Sequence, residues 1–370
     1  MRMIRPFGAA RRLVAVSAAV LTVGIGVVAG APAAHASSCG WTGGWAPVTL
    51  ENGWVSEQSA YDTGDPSYCL EADGMVYLSG SIAQTSGTNA TFGYLPLAER
   101  PAHEIYLDVY TLNSTYGVLR IDPSGLMEAY FGSVTGYTSL AGVSFPSASF
   151  AQTGLMPLQN GWESAQSVYN TGDPAFSISN GIVHLSGSLY RPAGTPANFS
   201  PDWAAAILPS SDSPSDNCFG PDVYTFGGGI WPFTLSESTI YGASASYTSL
   251  AGISYPAPSM PWHSLALLNG TPSTFCNTPP SYFSTANVVY LTGYLTVPSG
   301  FNGEFAVLPA ANRPTHTLYM IASNAGAGST AADLYVTVRI DPDGAMWIFS
   351  PPNGAARLIE LSGLSFHLGS

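Results

Sequence analysis

The chain has 370 residues, 10 Arg and no Lys against 23 acidic side chains, and a net charge of −13. Such a surface repels phosphate backbones and anionic head groups, because nucleic-acid affinity comes largely from basic side chains displacing counterions. Charged residues make up only 9% while apolar residues reach 46%, with abundant Gly, Pro and Tyr, which excludes a disordered chain and points to a turn-rich β protein.

In chain order, residues 1–36 read as an export signal. Arg2, Arg5, Arg11 and Arg12 form a basic stretch, Leu13 to Gly30 an apolar one, and Ala34-His35-Ala36 a small-residue cleavage site. Arg11-Arg12 leaves twin-Arg export as an alternative to the general secretory route. Removing this segment leaves six Arg against 23 acids, a net charge of −17, and no other apolar run approaches the roughly 18 residues of a membrane span. The expectation is a secreted, extracellular chain that binds neither nucleic acid nor membrane.

Gly74 to Ile82, GMVYLSGSI, is then written three times, again as GIVHLSGSL at Gly181 to Leu189 and NVVYLTGYL at Asn287 to Leu295. Val76, Leu78 and Ile82 share one parity, as do Val183, Leu185, Leu189 and Val289, Leu291, Leu295, which is the period of a strand facing a core. Tyr77, His184 and Tyr290 take one equivalent position on the other face. Gly80, Gly187 and Gly293 sit at one inward position, and a glycine kept there predicts a bulge or a close backbone approach.

Other landmarks repeat in the same order. Asn52-Gly53-Trp54, Asn160-Gly161-Trp162 and Asn269-Gly270 precede the strand, while Leu95-Pro96, Leu208-Pro209 and Leu308-Pro309 follow it, each with a further proline at Pro101, Pro214 or Pro314. Thr138 to Pro146 matches Thr248 to Pro256, and Leu361 to Phe366 closes the third copy. These landmarks predict an export signal over 1–36, copy 1 over 37–147, copy 2 over 148–257 and copy 3 over 258–370. Each copy is expected to be an antiparallel β-sandwich or small barrel of about 110 residues, large enough to bury its own core. The fold class is therefore all-β, in three tandem domains.

Four cysteines in an exported chain favour two disulfides over free thiols. Three connectivities are open; the favoured one pairs Cys39 with Cys69 inside copy 1, leaving Cys218 and Cys276 to tie copy 2 to copy 3. No C-x-x-C pair or His cluster suggests zinc, and no cofactor is called for.

Several motifs have a structural and a functional reading. Tyr61-Asp62-Thr63-Gly64-Asp65-Pro66 recurs as Tyr169-Asn170-Thr171-Gly172-Asp173-Pro174; Asp-rich loops hold Ca²⁺, but Gly, Asp and Pro together are ordinary turn chemistry, and copy 3 lacks both acids. Arg120 to Gly125 and Arg339 to Gly344 read as hairpins. His103 and His316 match after Arg100-Pro101 and Arg313-Pro314, yet copy 2 has Ser213 in the Arg slot and no repeated nucleophile lies near. No catalytic signature appears, so no enzyme is expected, although paired carboxylates of a glycoside hydrolase leave no local motif. Copy 2 diverges most: Ser188 to Leu208 spans 20 steps where Ser81 to Leu95 spans 14, and the region carries Asp202, Trp203, Asp222, Tyr224 and Trp231. Aromatic rings flanked by carboxylates suit sugar rings, whose C–H faces stack while hydroxyls meet the polar groups, so these five are the candidate ligand-binding residues.

The landmarks Asn52-Gly53-Trp54, Leu95-Pro96, Arg100-Pro101, Ile121-Asp122 and Leu140 to Phe145, echoed in copies 2 and 3, resemble the receptor-binding head domains of phage tail fibres and tail tips. Similar domains occur in secreted actinobacterial proteins. The chain departs from that pattern where Glu99, Asp212 and Asn312 replace the usual Gly-Tyr before Arg-Pro. The resemblance implies a small antiparallel β-domain, often trimeric, that binds cell-surface saccharide without catalysis. The expectation is accordingly a non-catalytic binder of a glycan or other surface polymer, monomeric with its three copies packed as an internal pseudo-trimer. Alternatives are a structural envelope protein and an unrecognised polysaccharide hydrolase.

Overall fold

The computed structural model describes residue 39 and residues 44–112, 115–193, 204–215, 218–225, 229–242, 246–273, 275–298, 300–324, 334–349 and 357–370, with backbone only for 229–232. The chain is all-β and antiparallel; the α-helices among the described residues are two single turns, Gln58–Tyr61 and Gln166–Tyr169. No helix among the described residues is long and apolar enough to cross a membrane.

Each repeated motif forms the third strand of a four-stranded sheet, and the three sheets have one order. Ala46–Pro47, Ser67–Leu70, Met75–Ser79 and Ser144–Pro146 make the first, Gly154–Leu155, Ala175–Ser179, Ile182–Ser186 and Ser254–Pro256 the second, and His263–Ser264, Ser281–Ser284, Val288–Thr292 and Ser365–His367 the third. Register is kept too: Phe145 lies opposite Val76, Tyr255 opposite Val183 and Phe366 opposite Val289.

The alternation read in the sequence has a two-sided cause. Val76, Leu78 and Ile82 enter one apolar core with Phe92, Leu119 and Phe145; Val183, Leu185 and Leu189 enter a second, and Val289, Leu291 and Leu295 a third. The opposite face is buried as well, because Met75, Tyr77, Ile182, Val288 and Tyr290 from all three copies pack into one shared cluster. The repeated glycine marks the corner between them. After it the chain leaves the four-stranded sheet and resumes in another one as Ser81–Gln84, Ser188–Tyr190 or Tyr294–Val297. At φ of +87°, +78° and +94°, Gly80, Gly187 and Gly293 occupy the left-handed region, and a Cβ there would lie 2.6, 2.2 and 2.3 Å from the backbone of Asp65, Asp173 and Pro279. Both a bend and a close approach therefore require glycine.

Residues 36–370 form one compact unit, and the copies meet head to tail. Glu104 N–H donates to the Asn170 carbonyl at 3.1 Å, joining copy 1 to copy 2, and Thr317 N–H donates to the Asp62 carbonyl at 3.0 Å, joining copy 3 to copy 1. Cys276 stands in copy 3 where Asp62 and Asn170 stand, with the same left-handed backbone (φ 55° against 56° and 57°), and its disulfide to Cys218 joins copy 2 to copy 3. Cys39 pairs with Cys69, so both favoured bonds are present. Two junctions also share a tyrosine cluster. Tyr110 stacks on Tyr319 at 5.8 Å, edged by Tyr61 and Tyr137; Tyr224 stacks on Tyr106 at 5.3 Å, edged by Tyr169 and Tyr247.

Candidate functional site: clefts at the copy junctions

The same two junctions carry two clefts of similar construction. Between copies 1 and 2 a cleft of about 320 Å³ is lined by His103, Phe150 and Gln152 from one side and by Asp173, Ser177 and Ser186 from the other. Between copies 3 and 1 a cleft of about 330 Å³ is lined by His316 with Trp45, Gln58, Asp65, Ser67 and Ser79. In each, the histidine ring rests against the neighbouring copy's glycine: a Cβ on Gly172 would come within 2.8 Å of His103 Cδ2, and one on Gly64 within 2.8 Å of His316 Cδ2.

Local sequence sets up both walls. The left-handed residue ending each short helix, Asp62 or Asn170, turns the chain so that Gly-Asp-Pro lies beneath the neighbour. The aspartate is then held from behind, Asp65 Oδ1 accepting from Ser56 Oγ at 2.9 Å and Asp173 Oδ1 from Ser164 Oγ at 2.6 Å. The Gln166 side chain accepts from Gly172 N–H. The histidine wall is set by arginine, since Arg100 Nε donates to the Leu95 carbonyl at 3.0 Å and Arg313 Nε to the Leu308 carbonyl at 3.1 Å, bracing Arg-Pro-x-His against the hairpin glycines Gly125 and Gly344. The arginines are thus structural. What remains facing each cleft is an imidazole, a carboxylate, hydroxyls, an amide and one aromatic ring, a set that accepts and donates hydrogen bonds beside an apolar face.

The third junction differs. There the disulfide Cys218–Cys276 lies against Thr278-Pro279-Pro280, which replaces Gly-Asp-Pro, and Asp216, in the histidine slot, lies outside the described residues.

Of the five residues that the sequence marked for ligand binding, Asp202 and Trp203 lie outside the described residues, and so does the Trp231 side chain, whose backbone pairs with Val223. Tyr224 is buried in the junction cluster, where its ring covers Tyr106. Asp222 lines a small cavity of about 70 Å³ that Asp108 of copy 1 and Glu360 of copy 3 also reach. Burial, followed by the charges of Asp108 and Glu360, pushes the Asp222 carboxyl well up, and burial raises Asp108 to about 7. Asp222 and Tyr224, two apart on one strand, thus share a face, with Tyr224 covered by Tyr106 of copy 1 and Asp222 on the small cavity. His103, His316, Asp65 and Asp173 were visible as repeated residues, but no local spacing shows that each histidine faces the aspartate of a different copy.

The chain matches no protein-family model and no curated protein.

Proposed function

We propose that this protein is an extracellular, non-catalytic binder of a glycan or similar hydroxyl-rich surface polymer, and that the two junction clefts are its sites. The supporting observation is the pair itself: two clefts of nearly equal volume, each with a histidine from one copy over the Gly-Asp of the next. Two equivalent sites on one compact unit suit a repeating polymer, because the second contact becomes intramolecular and raises avidity without new chemistry. The head-to-tail contacts support a monomer whose copies form an internal pseudo-trimer, with one of its three junctions closed by a disulfide. The two disulfides and the acidic surface suit an oxidising extracellular setting.

The test is a glycan array followed by calorimetry on the best ligand. Two sites are expected; His103→Ala and His316→Ala each remove one and the double variant removes both. Absence of binding across the array, or a double variant that binds as well as the parent, defeats the reading, and turnover of a polysaccharide would replace it with a hydrolase.

A further inference from the structure

A separate pocket of about 450 Å³ opens where the turns preceding the three repeated strands come together, and its chemistry differs from that of the clefts. Tyr77, His184 and Tyr290, the equivalent residues on the outer face of those strands, line it with Phe283, while Glu71 and Asp73 supply carboxylates.

The charge state of each group follows from its partners. Burial opposes ionisation of Glu71, but hydrogen bonds from His367 and Asn287 outweigh it and hold the carboxyl below its usual range; Oε1 accepts from Asn287 Nδ2 at 2.8 Å and His367 Nε2 at 3.0 Å. His367 Nδ1 accepts the Gly369 N–H at 3.0 Å, which aims Nε2 at Glu71. Asp73 accepts from Met75 N–H at 3.0 Å and from Ser179 Oγ at 2.8 Å. Burial pushes His184 down to about 4 against the pull of Asp73, so this ring is neutral near pH 7, with Nδ1 at 2.8 Å from Ser254 Oγ. Burial raises Tyr77 and Tyr290, keeping both phenols protonated. The lining contains no Arg and the chain no Lys, so the carboxylates of Asp73 and of Glu71, the latter hydrogen-bonded to His367, stand beside three aromatic rings.

We infer that this pocket binds an organic ammonium cation. Carboxylates and electron-rich ring faces both attract such a group, and partial desolvation strengthens each attraction. A bare metal ion fits less well. Hard cations need six or more oxygens at short range, whereas the Glu71 and Asp73 oxygens already accept protein donors, and the grouping of Glu71 and His367 with Cys39 lacks a thiolate because Cys39 is disulfide-bonded. The pocket shares no residue with either cleft, so this inference stands or falls apart from the glycan reading.

Calorimetric titration of the protein at about pH 6, where an amino sugar carries its proton, decides it with glucosamine, N-acetylglucosamine and calcium chloride as probes. Glucosamine is expected to bind at one site and N-acetylglucosamine, whose nitrogen is uncharged, to bind at least tenfold more weakly. Asp73→Asn should weaken glucosamine about tenfold, the effect of one partly screened charge. Ala286→Lys, at an exposed rim position, should abolish binding by placing a tethered ammonium at the mouth without disturbing the fold. Equal binding of the two sugars, competition by calcium for the same carboxylates, or full glucosamine affinity in Ala286→Lys would overturn the inference.

Discussion

Replacing Gly293 by alanine tests the corner that all three copies share. The residue sits at φ +94°, and an added Cβ would stand 2.3 Å from the Pro279 carbonyl oxygen, where ordinary contact begins about 1 Å further out. An L-residue in left-handed conformation costs about 1–2 kcal/mol, and forcing apart a packed backbone adds about 1–3 kcal/mol. Reduced freedom of the unfolded chain returns about 0.4–1 kcal/mol. The net loss is about 1–5 kcal/mol, or a fall in Tm of roughly 1–7 °C for a compact unit of this size. Urea and thermal unfolding measure it, with Gly136→Ala as control, since Gly136 is exposed and its nearest neighbour for a Cβ is a movable Leu112 methyl at 3.2 Å. A Gly293→Ala protein indistinguishable from the parent, or no less stable than Gly136→Ala, would refute the claim that a backbone approach imposes glycine here.

Two further perturbations bear on the junctions. The Cys218–Cys276 bond closes a separation of 58 residues, so its double serine variant should lose about 4 kcal/mol by loop entropy, and hydrogen exchange should show copies 2 and 3 loosening first; uniform loosening of all three copies would count against a junction role. His184, held near 4 by burial, binds its proton more readily in the unfolded chain, so its contribution is complete above about pH 6.5 and is lost as pH falls towards 4. His184→Tyr, the residue of the other two copies, should therefore gain up to about 3 kcal/mol on the parent between pH 7 and pH 4, and a stability difference that stays flat with pH would contradict the assignment.

Much of the fold was legible because each copy restates the same local physics. The period-2 apolar residues, the corner glycine and the Asp-Pro-x-Gly hairpins are short-range signals, and Asp122 caps its own turn by accepting from Ser124 N–H at 2.8 Å. The candidate site was much less legible. Tyr224 beside Asp222 looks like a sugar platform in one dimension, but its ring and that of Tyr106 are brought together only by packing copy 2 on copy 1. His103 and Asp173 are 70 positions apart, and Asp65 and His316 are 251 apart, so each pair appears only once the head-to-tail order is known. Copy 2's Ser213 in the Arg slot argued against a site when each copy was considered alone, whereas a site shared between neighbours needs only one histidine and one Gly-Asp at each junction.

That sharing also accounts for where the chain placed its second disulfide. Two junctions bring four tyrosines together apiece, and aromatic pairs add about 0.5–1.5 kcal/mol each beyond the area they cover. At the junction of copies 2 and 3 the slot of Tyr61 and Tyr169 holds Phe275, half exposed, and the position after it, turned into the left-handed region by the same bend, holds Cys276. Cys276 and Cys218 occupy the slots of Asn170 and Ile105, and their Cα–Cα separation of 5.9 Å lies within the range a disulfide spans. Here the covalent bond stands beside the edge-on contact of Phe275 with Tyr294 at 5.0 Å, and Tyr294 Oη donates to the Cys218 carbonyl at 2.8 Å. Thr278-Pro279-Pro280 stands there in the Gly-Asp-Pro slots, so the disulfide and the loss of the Gly-Asp wall come from the same stretch of copy 3.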